Sequence, residues 1–197
     1  MVIGLTGKSC AGKDEGARFL SSKGIAVIDV DRLGHEALAV NRDRLVAAFG
    51  EGILDADGNV NRRALGAIVF SSHEKLEILN GISHPWMKEK VVSFIKDKAV
   101  CAVNCALLEK MDLVNLCDEI LYFYAPLDIR IQRAEKRDGI GREAFLRRNE
   151  SQNEIGTTLF ESGKKVITIL NDSDKKYLYR QLASYYDTLL SRGYIYG

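Results

Sequence analysis

The chain opens on a short apolar run, Val2-Ile3-Gly4-Leu5-Thr6, too brief for a helix and stopped by a glycine-rich turn. That pattern predicts a buried β-strand. From Lys13 the spacing changes: Ala17, Phe19 and Leu20 fall on one helical face, and Lys23-Gly24 supplies the glycine that ends such a helix. Ala26-Val27-Ile28 reads as a second buried strand, closed by Asp29-Val30-Asp31. Residues 32 to about 98 contain no convincing strand and read as several helices. Their turns are expected at Asp55-Ala56-Asp57-Gly58, Ser71-Ser72 and His84-Pro85. Strand patterns return at 100–108 and 119–124, a helix is expected over 127–136, and a charge-dense stretch covers 137–148. A last strand is expected at 166–170. An amphipathic helix follows over 175–190, with Leu178, Leu182, Tyr185 and Leu189 inward.

Strands alternating with helices imply an α/β fold, a parallel sheet with helices on both faces. The helical block at 32–98 is too long for a simple crossover and reads as an inserted subdomain. At 197 residues the chain suffices for one domain carrying such insertions. The balance of 46% apolar and 28% charged residues is that of an ordinary enzyme. A formal net charge of +1 gives no reason to expect nucleic acid as a partner, yet it leaves room for a local basic pocket. No apolar run approaches bilayer length and no signal peptide precedes the first strand, so the expected location is cytoplasmic, away from membranes. Cys10, Cys101, Cys105 and Cys117 lack zinc-site spacing, and three of them lie among Val, Ala and Leu; they read as buried thiols. Oligomeric state is left open.

The chemistry begins at the turn after the first strand. Gly7-Lys8-Ser9-Cys10-Ala11-Gly12-Lys13 matches G-x-x-x-x-G-K, with a strand before it and a helix after it, the context a P-loop requires. The glycines let the backbone wrap so that successive N–H groups point at a phosphate, and the helix adds the positive end of its dipole. Lys13 brings a full charge toward the β- and γ-phosphates. Residues Gly7 to Asp14, with Glu15, are therefore candidate ATP ligands, with Mg²⁺ as the accompanying ion. The eighth position departs from the pattern: Ser or Thr offers the metal a neutral hydroxyl there, whereas this chain has Asp14. A carboxylate is a stronger magnesium ligand, but it is longer and adds negative charge beside the β-phosphate. Asp14 either binds the ion directly, holds it through water, or weakens nucleotide binding.

Further positions then recur in order to the end of the chain. They are Ile3 to Gly7, Val27 to Asp31, Phe49-Gly50, Ile53-Leu54, Asp57-Gly58, Arg62, Leu65, Val69-Phe70, Leu79-Asn80 and His84-Pro85. Leu107-Leu108, Asp118, Arg133, Arg137-Asp138-Gly139, Arg148, Gln152 and Asn171 continue the series. In these the chain resembles the dephospho-coenzyme A kinase family, which phosphorylates the ribose 3′-hydroxyl of dephospho-CoA with MgATP. It departs from the family pattern at Lys8, where a second glycine is usual, at Asp14, and at Arg130, where a glutamine is usual.

The resemblance implies a P-loop NTPase-type core from 1–31, 99–135 and 160–197, a helical insert at 32–98 that binds dephospho-CoA, and a small helical lid at 136–159. It implies Asp31 as the residue that takes or orients the acceptor's proton. Asp31 is expected just past a strand adjacent to the P-loop strand, where doubly wound sheets place ligands. Lys13, Arg133 and Arg137 would stabilise the transferring phosphoryl group, and Arg148 would touch ATP. Asp29, Arg62, His84 and Lys88 would line the acceptor pocket. Plainer roles stand beside these: Asp31 as a helix N-cap, His84 as a turn residue before Pro85, and the arginines at 133, 137, 142, 147 and 148 as a solvated face. Two rival functions also stand, another P-loop kinase of a nucleoside monophosphate or small metabolite, and a nucleotide-binding protein that has lost catalysis.

Overall fold

In chain order the elements are β1 (Val2–Thr6), α1 (Lys13–Ser22), β2 (Ala26–Asp29), α2 (Val30–Val40), α3 (Arg42–Phe49), α4 (Arg62–Val69), α5 (His73–Ile95), β3 (Cys101–Asn104), β4 (Glu119–Tyr124), α6 (Leu127–Asp138), α7 (Arg142–Glu150), β5 (Lys165–Leu170) and α8 (Lys175–Ser191). The computed structural model describes residues 1–150 and 152–195. Ser151, inside the expected lid, and residues 196–197, at the end of the expected core, lie outside the described residues. The chain forms two units, one from Met1–Asp29 with the described part of Phe94–Gly197, the other from Val30–Ser93.

The first unit is built on a five-stranded sheet in the order β2-β3-β1-β4-β5, every pair parallel. β1 lies at its centre because its side chains are apolar on both faces, the pattern of a strand covered twice. Ile3 and Leu5 are fully buried in one cluster with Leu121 and Phe123 of β4. Ala17, Phe19 and Leu20 of α1 and Leu178, Leu182, Tyr185 and Leu189 of α8 complete that cluster. On the other face Gly4 backs onto Leu108, Cys117 and Ile120, leaving no room for a side chain. From β1 the chain runs to β2 and back to β3 on one side, then crosses over β1 to β4 and β5 on the other. The end of β1 is thus the switch point where an open α/β sheet forms its crevice.

The second unit packs α2 to α5 around Leu45, Ile53, Leu65, Val69 and Ile82. Its one strand-like feature is a single bridge, Leu54 to Val60, across the expected turn at residues 55–58. Asn61 caps α4, its side chain accepting from the N–H groups of Arg63 and Ala64. By packing this unit covers Val30–Ser93, where the sequence reading drew 32–98.

Four expectations are corrected. His84-Pro85 is not a turn: α5 runs through it for 23 residues, because burial of Ile82, Met87 and Val91 outweighs the one helix hydrogen bond that proline removes. The strand expected at 100–108 stops at Asn104. Beyond it Met111 N–H bonds Leu107 O and Leu113 N–H bonds Leu108 O, so the apolar run folds as turns whose Leu108 enters the core. β2 is only half-buried, being an edge strand, and β3 separates it from β1. The strand preceding Asp31 is therefore not adjacent to the P-loop strand. The helix expected at 127–136 runs on to Asp138, and the arginines read as one solvated face stand on two helices, divided at Gly139 in the left-handed region (φ 66°). Cys101, Cys105 and Cys117 are buried as expected, and burial pushes the Cys117 thiol up to about 12; Cys10 is only half-buried.

α1 is fastened to α8 by a carboxylate. Glu15 pairs with Arg18 on its own helix, with Lys175 Nζ at 2.6 Å, and accepts a hydrogen bond from Tyr179 on α8. Burial opposes its charge, but the bonds from Arg18, Lys175 and Tyr179 prevail and hold the carboxyl at about 2, below its ordinary 4.5. A depressed carboxylate pKa stabilises the fold above the unfolded value and loses that contribution as pH falls through the folded one. Urea denaturation of the wild type and Glu15→Gln at a series of pH values should therefore show a stability gap at pH 6–7 that closes between about pH 4.5 and 2. A gap independent of pH would show that the charge of Glu15 does not brace the helices.

Candidate active site

The P-loop occupies the residues between β1 and α1, and its shape follows from glycine and from hydrogen bonds made to its carbonyl groups. At Gly7 a β-carbon would lie 2.5 Å from the Phe123 carbonyl oxygen, so only glycine lets the loop leave β1 this close to β4. Gly12 has φ 111°, and a β-carbon there would meet Asn171 Nδ2 at 2.1 Å. Cys10 adopts a left-handed conformation, φ 62°, unusual for a residue with a side chain.

Three successive carbonyls are held from outside the loop. Arg130 Nη1 donates to Ser9 O (3.4 Å), Arg133 Nη1 to Cys10 O (3.3 Å), and Asn171 Nδ2 to Ala11 O (2.9 Å). Arg133 Nη2 also donates to Asn171 O and Oδ1, at 2.9 and 3.0 Å, locking those two residues together. Arg130 is 6% exposed and further tied by Nε to Ala125 O (3.2 Å) and by Nη2 to Asn149 Oδ1 (2.8 Å). Burial lowers the pKa of both arginines from the ordinary guanidinium range. These bonds fix the loop's shape, and within it Ala11 N–H bonds Lys8 O at 3.0 Å. Gly16 N–H makes the first i→i−4 bond of α1, to Gly12 O, so the N–H groups of Lys13 and Asp14 lie ahead of the helix ladder, where anions bind. Ser9 N–H bonds Gln152 Oε1 at 2.8 Å.

Lys13, the first residue of α1, is a buried cation at 7% exposure. Its Nζ donates to Asn104 Oδ1 (2.9 Å) and Asp14 Oδ1 (3.1 Å), and Asn104 Nδ2 donates to the same Asp14 oxygen (3.2 Å). Burial works against the charge on Asp14, yet Lys13 and Asn104, helped by the field of Arg137, bring its carboxyl below the usual range. Its side chain is 53% exposed and both bonds fall on Oδ1. An ionised, half-exposed carboxylate is a hard-oxygen ligand of the kind Mg²⁺ takes singly, completing its shell with phosphate oxygens and water. No cluster of three or more His, Cys, Asp or Glu suited to a metal occurs among the described residues, so Asp14 fits an ion brought in with a nucleotide, not an all-protein cage.

The other candidates divide by unit. Cys10, Arg133, Lys136 and Arg137 line a cavity of about 460 Å³, whose basic rim suits a polyphosphate. A larger hollow of about 600 Å³ along β5 and α8 contains none of the P-loop residues, so the chemistry converges on the smaller one. Arg137 is exposed and paired through Nε with Asp138 at 2.7 Å. Arg148 is exposed on α7, and its charge helps hold Asp138 ionised. Lys8 and Ser9 are half-buried in the loop, whereas the carboxylate of Glu15 is directed to α8. Asp29 ends β2 in register with Asn104. In the helical unit, Asp31 is exposed in the first turn of α2, inside the helix and not its N-cap. His84 and Lys88 stand four residues apart on one face of α5, and Arg62 is the exposed first residue of α4.

Two functional positions were missed by sequence reasoning. Asn104 carried no signal, since a single amide at a strand end resembles any other. Arg130 was noted only as a departure from a family pattern, and its isolated charge at a buried helix position was the available clue.

A central P-loop between β1 and α1, a buried lysine at the head of that helix and basic residues at its rim define a P-loop phosphotransferase. A family model described as dephospho-CoA kinase matches residues 1–174, and this chain belongs to the dephospho-CoA kinase family. A dephospho-CoA kinase of Fusobacterium nucleatum is 32% identical over 200 aligned positions, covering 96% of this chain and 98% of that protein. One from Dehalococcoides mccartyi is 33% identical over 159, covering 77% and 80%. Among solved structures, TT1252 from Thermus thermophilus superposes with a TM-score of 0.81 at 27% identity, covering 96% of this chain and 97% of that one. As a kinase of this family the chain uses ATP as phosphoryl donor, and no helix among the described residues is long and apolar enough to cross a membrane.

Gly12→Ala should lower ATP affinity at least about ten-fold, because the added carbon forces Asn171 off Ala11 O and frees that carbonyl to turn. Stability should fall by only about 1–3 kcal/mol. Calorimetric titration with ATP alongside thermal denaturation checks both, and unchanged ATP affinity would contradict this account of the loop.

Proposed function

We propose that this protein transfers the γ-phosphoryl group of ATP to the ribose 3′-hydroxyl of dephospho-CoA, giving coenzyme A and ADP. The observation that carries the reading is the P-loop itself: three carbonyls tied back by Arg130, Arg133 and Asn171 beside a buried Lys13, in a chain whose family match runs from residue 1 to 174.

Phosphoryl transfer needs little covalent help from a protein; it needs alignment and neutralised charge. The loop at residues 7–14 takes the phosphates, with the N–H groups of Lys13 and Asp14 ahead of the helix ladder, and Lys13 leaves its resting partners Asp14 and Asn104 to meet the β- and γ-oxygens. Arg133 and Arg137, with Cys10 and Lys136 around the same cavity, offset the charge that builds on the equatorial oxygens. Residues 136–159, of which Ser151 lies outside the described residues, are assigned as a lid that brings Arg148 to ATP. Asp14 would hold magnesium, which would supply positive charge to the phosphates. Acceptor binding is assigned to Arg62, His84 and Lys88 of the helical unit and to Asp29 at the end of β2. Asp31 accepts or orients the proton of the attacking hydroxyl.

Asp31→Asn should reduce kcat by roughly 10²–10⁴ with little change in KM for ATP. Full turnover with normal substrate affinity would remove Asp31 from the role of base. The acceptor is tested by coupled ADP release with dephospho-CoA, AMP, UMP and shikimate. Turnover should occur with dephospho-CoA, and turnover of a monophosphate alone would overturn the assignment. Binding of MgATP and dephospho-CoA without product would instead point to a nucleotide-binding protein that has lost catalysis.

A further inference from the structure

Asn104 closes β3 with a polar side chain only 1% exposed, where an apolar residue would satisfy the fold. A buried amide is costly unless both of its ends are bonded. Here both are: Oδ1 accepts from the Lys13 ammonium at 2.9 Å, and Nδ2 donates to Asp14 Oδ1 at 3.2 Å. Direct donation from Lys13 to that same oxygen, at 3.1 Å, completes a three-membered ring of side chains. The chemistry selects the amide. It must offer an acceptor to a cation and a donor to an anion while carrying no charge. An aspartate would repel Asp14, and a flipped amide would set its NH₂ against the ammonium.

The ring bears on the odd eighth residue of the P-loop. A carboxylate beside the β-phosphate repels the nucleotide unless something neutralises it. All of the contacts in the ring fall on Oδ1, and Asp14 is 53% exposed, so Oδ2 is left for a cation. Lys13 neutralises Asp14 while the site awaits its ligand, but the phosphates must then draw Lys13 away. Asn104 is the partner that can stay.

We propose that Asn104 is a positioning residue, absent from the P-loop motif, that keeps Asp14 fixed by one oxygen as Lys13 transfers to the phosphates. The magnesium-bearing nucleotide is thereby bound in strong preference to the bare one. The proposal rests on reading the chain as a magnesium-dependent kinase, but not on the identity of the acceptor.

Calorimetric titration of the full chain with ADP and with ATP, in EDTA and in excess Mg²⁺, tests it. The quantity read is the factor by which Mg²⁺ strengthens binding. That factor should be large in the wild type and fall about ten-fold in Asn104→Ala, with metal-free affinity changing much less. In an Asp14→Ser background, Asn104→Ala should leave the factor unchanged, because the partner it positions is gone. An equal loss of affinity with and without Mg²⁺ would reduce Asn104 to a structural residue and overturn the proposal, as would the same fall in the Asp14→Ser background. Asn104→Ser, a milder change, decides by the same ratio should the alanine variant fail to fold. Asp14→Asn in the otherwise intact chain gives a separate check: full retention of the magnesium factor would sink the idea. Failure of dephospho-CoA turnover with the linkage intact would count against the acceptor assignment alone.

Discussion

A phosphate-binding loop works only if its amides face inward, and a peptide unit that shows its N–H on one side shows its carbonyl on the other. The cradle in this chain therefore depends on what receives those carbonyls. Arg130 and Arg133 from α6 and Asn171 from the end of β5 receive them one after another, over Ser9, Cys10 and Ala11. Two guanidinium groups, Arg130 buried and Arg133 half-buried, serve well here, because each carries several donors in a rigid fork and holds more than one carbonyl at once. The sheet order makes this possible by bringing the end of β5 and the start of α6 to the same edge as the end of β1. Loop, helix and sheet are thus one mechanical unit, and Glu15 extends it by fastening α1 to α8.

The same arrangement explains how the fold accommodates Asp14 and Arg130, two of its three departures from the family pattern. Asp14 adds a negative charge, and the fold answers with Lys13 and Asn104. Arg130, where glutamine is usual, fills a site closed by Phe145, whose ring lies 5.7 Å from the guanidinium carbon. Neither departure disturbs the cradle, since each carries its own hydrogen-bond partners.

Much of this was legible in advance. The glycine spacing from Gly7 to Gly12, the strand before it and the amphipathic helix after it placed the phosphate site. The spacing of Leu178, Leu182, Tyr185 and Leu189 marked the buried face of α8, and the structure buries those four residues. Periodicity failed where burial overrode a local signal. Pro85 looked like a helix end, but a single lost hydrogen bond is small beside the burial of Ile82, Met87 and Val91. The apolar run through Leu108 looked like strand, yet short apolar runs do not distinguish a strand from turns that fill a core.

What the sequence by itself determined, then, was the part of the protein whose physics is local: a glycine that only glycine can replace, a lysine at a helix start, a stripe of leucines. Tertiary structure decided strand order, which put β3 between β1 and β2. With it came the partners that the site's side chains find far along the chain. Asn104 lies 90 residues from Asp14, and Asn171 lies 160 from Ala11. Hydrogen bonds across such separations leave no pattern in the intervening chain, because only folding brings their ends together.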